Sequence, residues 1–225
     1  MTGTLISGTI SEGDRVVAYP NKIESKVRSI QVHEQPMKSA EAGQRVAVNL
    51  SGISVDGIKR GDVVAYPGCM EPSLMIDCRL NYLKDAERPL ENRDRVRVYH
   101  GTSELLGRVV ILDRDIINPG ENALVQIRLE SPISAMGKDK YVIRSYSPMI
   151  TIGGGTIIDP NPPKRKRFDR KAIDELRIRE HGDPDEIISQ VLLKNSRFFP
   201  SSEMVSKLSG INEMDVKSIL AKEVL

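Results

Sequence analysis

Through residue 158 apolar and polar residues follow a period of two in short runs cut by Gly, Pro, Asn and Asp, whereas beyond residue 170 the period lengthens to about 3.6. A strand sends successive side chains to opposite faces and a helix does not, so this order of patterns dictates a β-rich part followed by a helical one. The runs Arg15 to Tyr19, Lys26 to Val32, Arg45 to Leu50 and Asp62 to Tyr66 open the β-rich part, and their spacing predicts barrels or sandwiches.

Within that part, Gly13-Asp14-Arg15-Val16-Val17-Ala18-Tyr19-Pro20 is echoed by Gly61-Asp62-Val63-Val64-Ala65-Tyr66-Pro67. Each copy begins in a Gly-Asp turn and ends where proline, lacking an N–H, halts pairing; the two are expected as similarly built strands of one barrel. A second β block has strands near Leu74 to Leu83, Arg93 to Tyr99, Leu105 to Leu112, Asn122 to Leu129 and Tyr141 to Ile143, after a joint at Gly68-Cys69-Met70-Glu71-Pro72. Asp159-Pro160-Asn161-Pro162-Pro163 stops the sheet and, with Lys164-Arg165-Lys166-Arg167, reads as a semi-rigid basic linker. Ile173, Leu176 and Ile178 mark one helix, and Asp183-Pro184 starts another carrying Ile187, Ile188, Val191 and Leu192. Ser201-Ser202 caps a third with Met204, Val205 and Leu208, Gly210 ends it, and Asn212 opens a last one with Val216, Ile219 and Leu220. Helix, helix, tight turn, helix is the start of a winged-helix module. The expected fold is mainly β, with small barrels at 1–68 and 69–159, a linker at 160–170 and a partial winged-helix domain at 171–225.

The formal net charge is +2, but residues 1–171 hold 26 Lys and Arg against 21 Asp and Glu, whereas residues 172–225 hold 7 against 10. The β-rich part is therefore compatible with a polyanion, and the acidic tail argues against duplex binding there. No phosphate-cradling G-x-x-x-x-G-K-[ST], serine elbow or H-E-x-x-H occurs, and His33, His100 and His181 stand far apart, so no catalytic or metal-ligating residue is assigned. Cys69 and Cys78 fit neither a zinc pair nor a redox dithiol and are expected as small buried thiols. No apolar run approaches the ~18 residues of a membrane span, and no export leader opens the chain, which points to the cytoplasm.

Three segments carry a resemblance: Ala42-Gly43-Gln44-Arg45-Val46-Ala47-Val48-Asn49-Leu50, Tyr99-His100-Gly101-Thr102, and the stretch from Tyr141-Val142-Ile143-Arg144 through Gly153-Gly154-Gly155 to Asp159. In order and spacing they resemble translation elongation factors, and the wording is most similar to the bacterial selenocysteine-specific type. The resemblance implies second and third elongation-factor domains, the first with a truncated opening strand, then the first of several winged helices. It also implies a parent with a GTPase domain, missing here, that holds GTP and magnesium. No cofactor is expected in this chain, nor catalysis by it. The implied partners are selenocysteinyl-tRNA, the ribosome and, through winged helices absent from this chain, an mRNA selenocysteine-insertion hairpin.

On that resemblance Arg45 lines the pocket for the amino acid esterified to tRNA, with Gln31 and His33 of the strand Val27 to His33 beside it. A selenol is more acidic than a thiol, so a permanent guanidinium favours selenocysteine over neutral serine. With partial burial, one such contact would discriminate by roughly 1.5 to 3 kcal/mol. Arg144 and a turn at Gly153, Gly154 and Gly155 resemble the surface laid against the tRNA backbone, where glycine permits close approach and arginine neutralises charge. The same glycines also suit a bulge at a barrel corner. Lys164, Arg165, Lys166 and Arg167 are candidate RNA contacts in the linker, or a solvated charge run. Two alternatives stand beside this reading: a fragment of another Tu-like or initiation-type translation GTPase, and a winged-helix DNA-binding regulator.

Overall fold

The computed structural model describes residues 1–195, 200–209, 211 and 213–223. The chain forms two compact units, Met1–Pro72 and Ser73–Leu225. Unit 1 contains β1 (Thr2–Thr4), β2 (Thr9–Ser11), β3 (Arg15–Tyr19), β4 (Ile23–Val32), β5 (Gln35–Met37), β6 (Ser39–Glu41), β7 (Arg45–Leu50) and β8 (Val63–Ala65). Its main ladder runs β1-β7-β4-β3-β8, β5 pairs with β4, and β2 with β6 forms a separate pair. Ile10 of β2 and Ala40 of β6 share one core with Val16, Val27, Ile30, Val32 and Val46, so the two ladders enclose common apolar material. The echoed segments are β3 and β8, and they lie side by side, Val17 opposite Ala65 and Tyr19 opposite Val63.

Unit 2 contains β9 (Ser73–Tyr82), β10 (Leu90–Glu91), β11 (Arg95–His100), β12 (Ser103–Ile111), β13 (Ile116–Ile117), β14 (Asn122–Ile133), β15 (Lys140–Ser145) and β16 (Thr151–Asp159). Six of these close into a barrel in the order β11-β12-β14-β9-β16-β15. Closure follows from alternation: Ile76, Cys78 and Leu80 of β9 and Val125 and Ile127 of β14 point inward and are fully buried, while intervening residues face outward. Cys69, by contrast, is exposed, so only one of the two thiols is buried as expected.

Four helices follow, α1 (Arg170–His181), α2 (Pro184–Asn195), α3 (Ser202–Ser209) and α4 (Glu213–Glu223). Asp169 caps α1 by accepting a hydrogen bond from Ala172 N. Gly210 and Asn212, expected as end and start signals, lie outside the described residues. The helices divide between two apolar cores. Ile188, Val191, Val205, Val216 and Ile219 of α2, α3 and α4 make their own core. α1 packs instead on the barrel, with Leu176 fully buried against Val110, Leu112 and Leu124 on the outside of the β12–β14 region. Burying one leucine in that way stabilises the contact by about 2 kcal/mol.

A polar seam fixes α1 and the preceding segment to the barrel. Arg165 donates through Nε to Asp77 at 2.9 Å and through Nη1 to Glu175 at 2.7 Å, and Gln126 Nε2 donates to Asp77 and to Pro163 O, both at 2.9 Å. Arg79 grips Glu180 bidentately, and Arg179 Nη1 meets Asp159 at 2.7 Å. Residues 160–170, expected as a semi-rigid linker, run as a strap along the barrel, and Arg165, 8% exposed, is a structural side chain there rather than a solvated charge. No helix among the described residues is long and apolar enough to cross a membrane.

Candidate nucleic-acid interface

On unit 1, β7 is flanked by β1 and β4, with Arg45 opposite Thr4, and Ala47 opposite both Thr2 and Gln31. Val46 and Val32 are buried, so alternation sends Arg45, Ala47 and Gln31 to the opposite, outer face, where Arg45 and Gln31 are exposed diagonal neighbours. The adjacency of Arg45 and Gln31 follows the sequence expectation, but the partial burial does not. Arg45 stands on an open surface with no side-chain hydrogen bond or ion pair among the described residues. His33 is not on the strand at all. With φ of 52° it is, with Glu34 at 66°, one of the two residues of the tight turn joining β4 to β5, where both central positions take the left-handed conformation.

On unit 2, the closing hairpin is β15 and β16. Arg144 sits opposite Arg97 of β11 on one side and Thr151 on the other. Its Nη2 donates to Met149 O at 2.7 Å, and its guanidinium lies 5.9 Å from the centre of the Tyr99 ring. The Nε atoms of Arg144 and Arg97 are buried without an acceptor. Arg95 and Arg97 reach the Tyr146 ring from 4.5 and 5.4 Å. Cations over aromatic faces form a surface that offers both charge and a stacking plane. Carboxylates temper it: Glu130 accepts two hydrogen bonds from Arg95 at 2.9 and 2.8 Å, and Glu104 one from Arg97. The Arg95 contact holds the Glu130 carboxyl below its usual range.

Gly153, Gly154 and Gly155 are not a turn. They lie inside β16 and are paired on both sides, Gly154 with Val142 and Asn81, Gly155 with Tyr141 and Leu80. A Cβ on Gly155 would stand 1.9 Å from Arg79 O, and one on Gly154 2.6 Å from Tyr141 O, so they let three strands close tightly. Backbone groups committed to these ladders are not available to a phosphate, which corrects the expected role of the glycines.

The basic run divides. Arg165 is bound to Asp77 and Glu175, and Arg167 donates to Ile111 O, Arg114 O and Asp115, so these two do not project as free RNA contacts. Lys164 and Lys166 are exposed. The residues overlooked in sequence are Arg95, Arg97, Tyr99 and Tyr146, although Arg95-Val96-Arg97-Val98-Tyr99 puts a cation or an aromatic ring at every outward position of one strand.

Residues 77–164 match the family model described as selenocysteine-specific elongation factor, beta-barrel domain, and residues 1–65 match elongation factor Tu domain 2. Over 170 residues the chain is 39% identical to the selenocysteine-specific elongation factor of Desulfomicrobium baculatum, covering 76% of this chain and 27% of that protein. The corresponding factor of Haemophilus influenzae is 30% identical over 74% of this chain and 26% of its own length. Elongation factor Tu 2 of Streptomyces avermitilis is 29% identical over 70% of this chain and 41% of its own. The chain spans about a quarter of the length of these selenocysteine-specific relatives. With two consecutive domain matches in the order that the geometry displays, the chain belongs to the elongation-factor family, its barrel being of the selenocysteine-specific type.

Proposed function

We propose that this chain is the tRNA-binding part of a selenocysteine-specific elongation factor, which delivers selenocysteinyl-tRNA to the ribosome in the cytoplasm for insertion at UGA codons. GTP and magnesium would be held by a GTPase domain elsewhere in the factor, and an mRNA hairpin by further winged helices. The chain itself carries out no catalysis in this reading. The observation that carries it is the Arg144 surface: a guanidinium with no carboxylate partner among the described residues, flanked by Tyr99, Tyr146, Arg95 and Arg97, on a barrel matching the selenocysteine-specific type. Such a surface fits the backbone of a double-stranded RNA stem, which proteins recognise through shape and charge.

Arg45 serves selectivity in the same reading. Exposed as it is, its pairing with a selenolate is worth about 0–1 kcal/mol, less than the buried contact expected from sequence. A larger preference requires the arriving aminoacyl end to cover the guanidinium. Competition filter binding of selenocysteinyl-tRNA against seryl-tRNA, in the GTP-bound full-length factor this proposal implies, provides the test. Arg144→Ala is expected to weaken both tRNAs alike, and Arg45→Ala to reduce only their ratio. An unchanged ratio would remove Arg45 from the site, and undiminished binding by Arg144→Ala would remove the carrying observation.

A further inference from the structure

Among the described residues of unit 2, nine arginines face a carboxylate within 4.0 Å. Against that background Arg93, Arg108 and Arg128 differ, because none of the three has a carboxylate within that distance among the described residues and all three line one depression. Its volume is about 460 Å³, and its other lining residues are Val110, Leu129 and Glu130. The register explains the gathering: Arg128 of β14 is directly opposite Arg108 of β12, which is directly opposite Arg95 of β11, so three strands bring arginines into one row on the outer face. Arg93 enters from the β10–β11 turn at φ 76°, tied to β12 by its N–H to Val109 O at 2.7 Å.

Neutral acceptors orient these groups. Arg108 Nη1 donates to Arg93 O at 3.2 Å, and Arg128 donates through Nε to Gln126 Oε1 and through Nη2 to Arg165 O, both at 3.2 Å. The guanidinium planes are positioned while Arg93 and Arg128 meet no carboxylate within 4.0 Å among the described residues, and Arg108 shares the nearby charge of Glu130 with Arg95. Glu130, the single carboxylate of the lining, is held bidentately by Arg95. Val110, on the outer face, is buried beneath the rim and gives an apolar floor below cationic walls. A small oxyanion joined to a less polar body, as phosphate is to ribose, matches both features.

We propose that this notch is a second phosphate seat, taking a phosphodiester of an RNA backbone and lying along the same arginine row as the Arg144 surface. The inference rests on the RNA-binding reading above for its polymer source, while the seat's chemistry, an oxyanion held by guanidinium groups, does not. Each phosphate neutralised contributes about −0.9 to the slope of log affinity against log salt for a duplex. Losing this one phosphate in Arg93→Gln with Arg108→Gln should therefore flatten that slope by about 0.9, shrinking the affinity loss between about 50 and 200 mM salt by roughly three- to fourfold.

The experiment measures binding of a fluorescent RNA hairpin to the full 225-residue chain by anisotropy across salt. Wild type, the Arg93→Gln/Arg108→Gln variant and Arg144→Ala are compared, with melting curves verifying that each is folded. In parallel, arginine Nε–Hε NMR signals are followed during titration with inorganic phosphate and with the hairpin. A flattened slope in the double variant, with Arg93 and Arg108 signals moved by the hairpin, supports the seat with RNA as its source. Movement by inorganic phosphate alone keeps the seat and assigns it a free anion, failing only the RNA reading. If Arg144→Ala weakens binding while the double variant matches wild type in affinity and slope, the notch is overturned and the proposed function stands. If neither titrant moves the notch signals, the seat is overturned whatever the chain binds elsewhere.

Discussion

Arg165→Met is expected to cost unit 2 about 3–5 kcal/mol at pH 7.5, the loss typical of removing one partner from a buried ion pair. Asp77 is fully buried, and its carboxylate is satisfied by Arg165 Nε and Gln126 Nε2, each at 2.9 Å; the variant leaves only the amide. Methionine retains most of the aliphatic volume, so the loss is chiefly electrostatic. Burial pushes the Asp77 carboxyl up to about 6, even though Arg165 and Gln126 draw it down. The folded state therefore binds a proton at higher pH than the unfolded chain, and between about pH 4 and 6 this group makes stability fall as pH rises. Without Arg165 the folded value moves higher still. The variant's deficit is then greatest at neutral pH and contracts toward pH 5, where the orphaned carboxyl becomes neutral. Urea unfolding followed by far-ultraviolet circular dichroism at pH 5.0 and 7.5 measures this for wild type, Arg165→Met and Asp77→Leu/Arg165→Met. The double variant, which removes the fully buried Asp77 charge and leaves the part-exposed Glu175 with one contact fewer, should recover to within about 1–2 kcal/mol of wild type. A single-variant loss below about 1 kcal/mol, or an equal loss at both pH values, would refute the argument and return Arg165 to the solvated linker.

Gly155→Ala sets a Cβ against the Arg79 carbonyl inside the barrel, and should destabilise unit 2 by about 3 kcal/mol or more in a thermal melt. Gly3→Ala, with open space around its Cβ position, should stay within about 0.5 kcal/mol. Burial raises Asp139, but its hydrogen bonds with His100 and with Met136 N–H outweigh that and hold it below its ordinary value, so its contribution is present at neutral pH and lost as acid protonates it. Asp139→Asn should accordingly cost about 1 kcal/mol at pH 7 in urea unfolding, with the difference from wild type shrinking as acid takes the pH below the ordinary carboxylate range.

Elements defined by local pattern were legible in the sequence. The Gly-Asp starts and proline ends of β3 and β8 mark strands whatever surrounds them, and Asp183-Pro184 starts α2 on capping chemistry alone. What the pattern could not convey was which surface each helix covers. The apolar spacing of α1 is the same whether Leu176 meets other helices or the outside of a barrel, and the decisive partners, Val110, Leu112 and Leu124, lie more than 50 residues away in sequence. The basic strap misleads for the same reason, because Arg165 finds Asp77 across 88 positions. The triple glycine suggested a turn because glycine suits turns, yet it also suits a strand pressed between two others, and only the ladder distinguishes the two.

The candidate site raises a harder version of that problem. An arginine's value to a polyanion lies in charge left over after its own fold has used it, and that remainder is a property of pairing rather than of composition. Arg97 and Arg108 look equivalent in sequence, both on strands and both outward. Arg97 has Glu104 at its fork, whereas Arg108 donates to a neutral carbonyl and meets Glu130 only at longer range. The same subtraction removes Arg165 and Arg167 from the basic run and leaves Lys164 and Lys166, and it retains Arg144, whose partners are a carbonyl and an aromatic face. Salt dependence measured residue by residue should follow this remainder: neutralising Arg108 or Arg144 lowers the slope, whereas Arg167→Gln chiefly lowers stability.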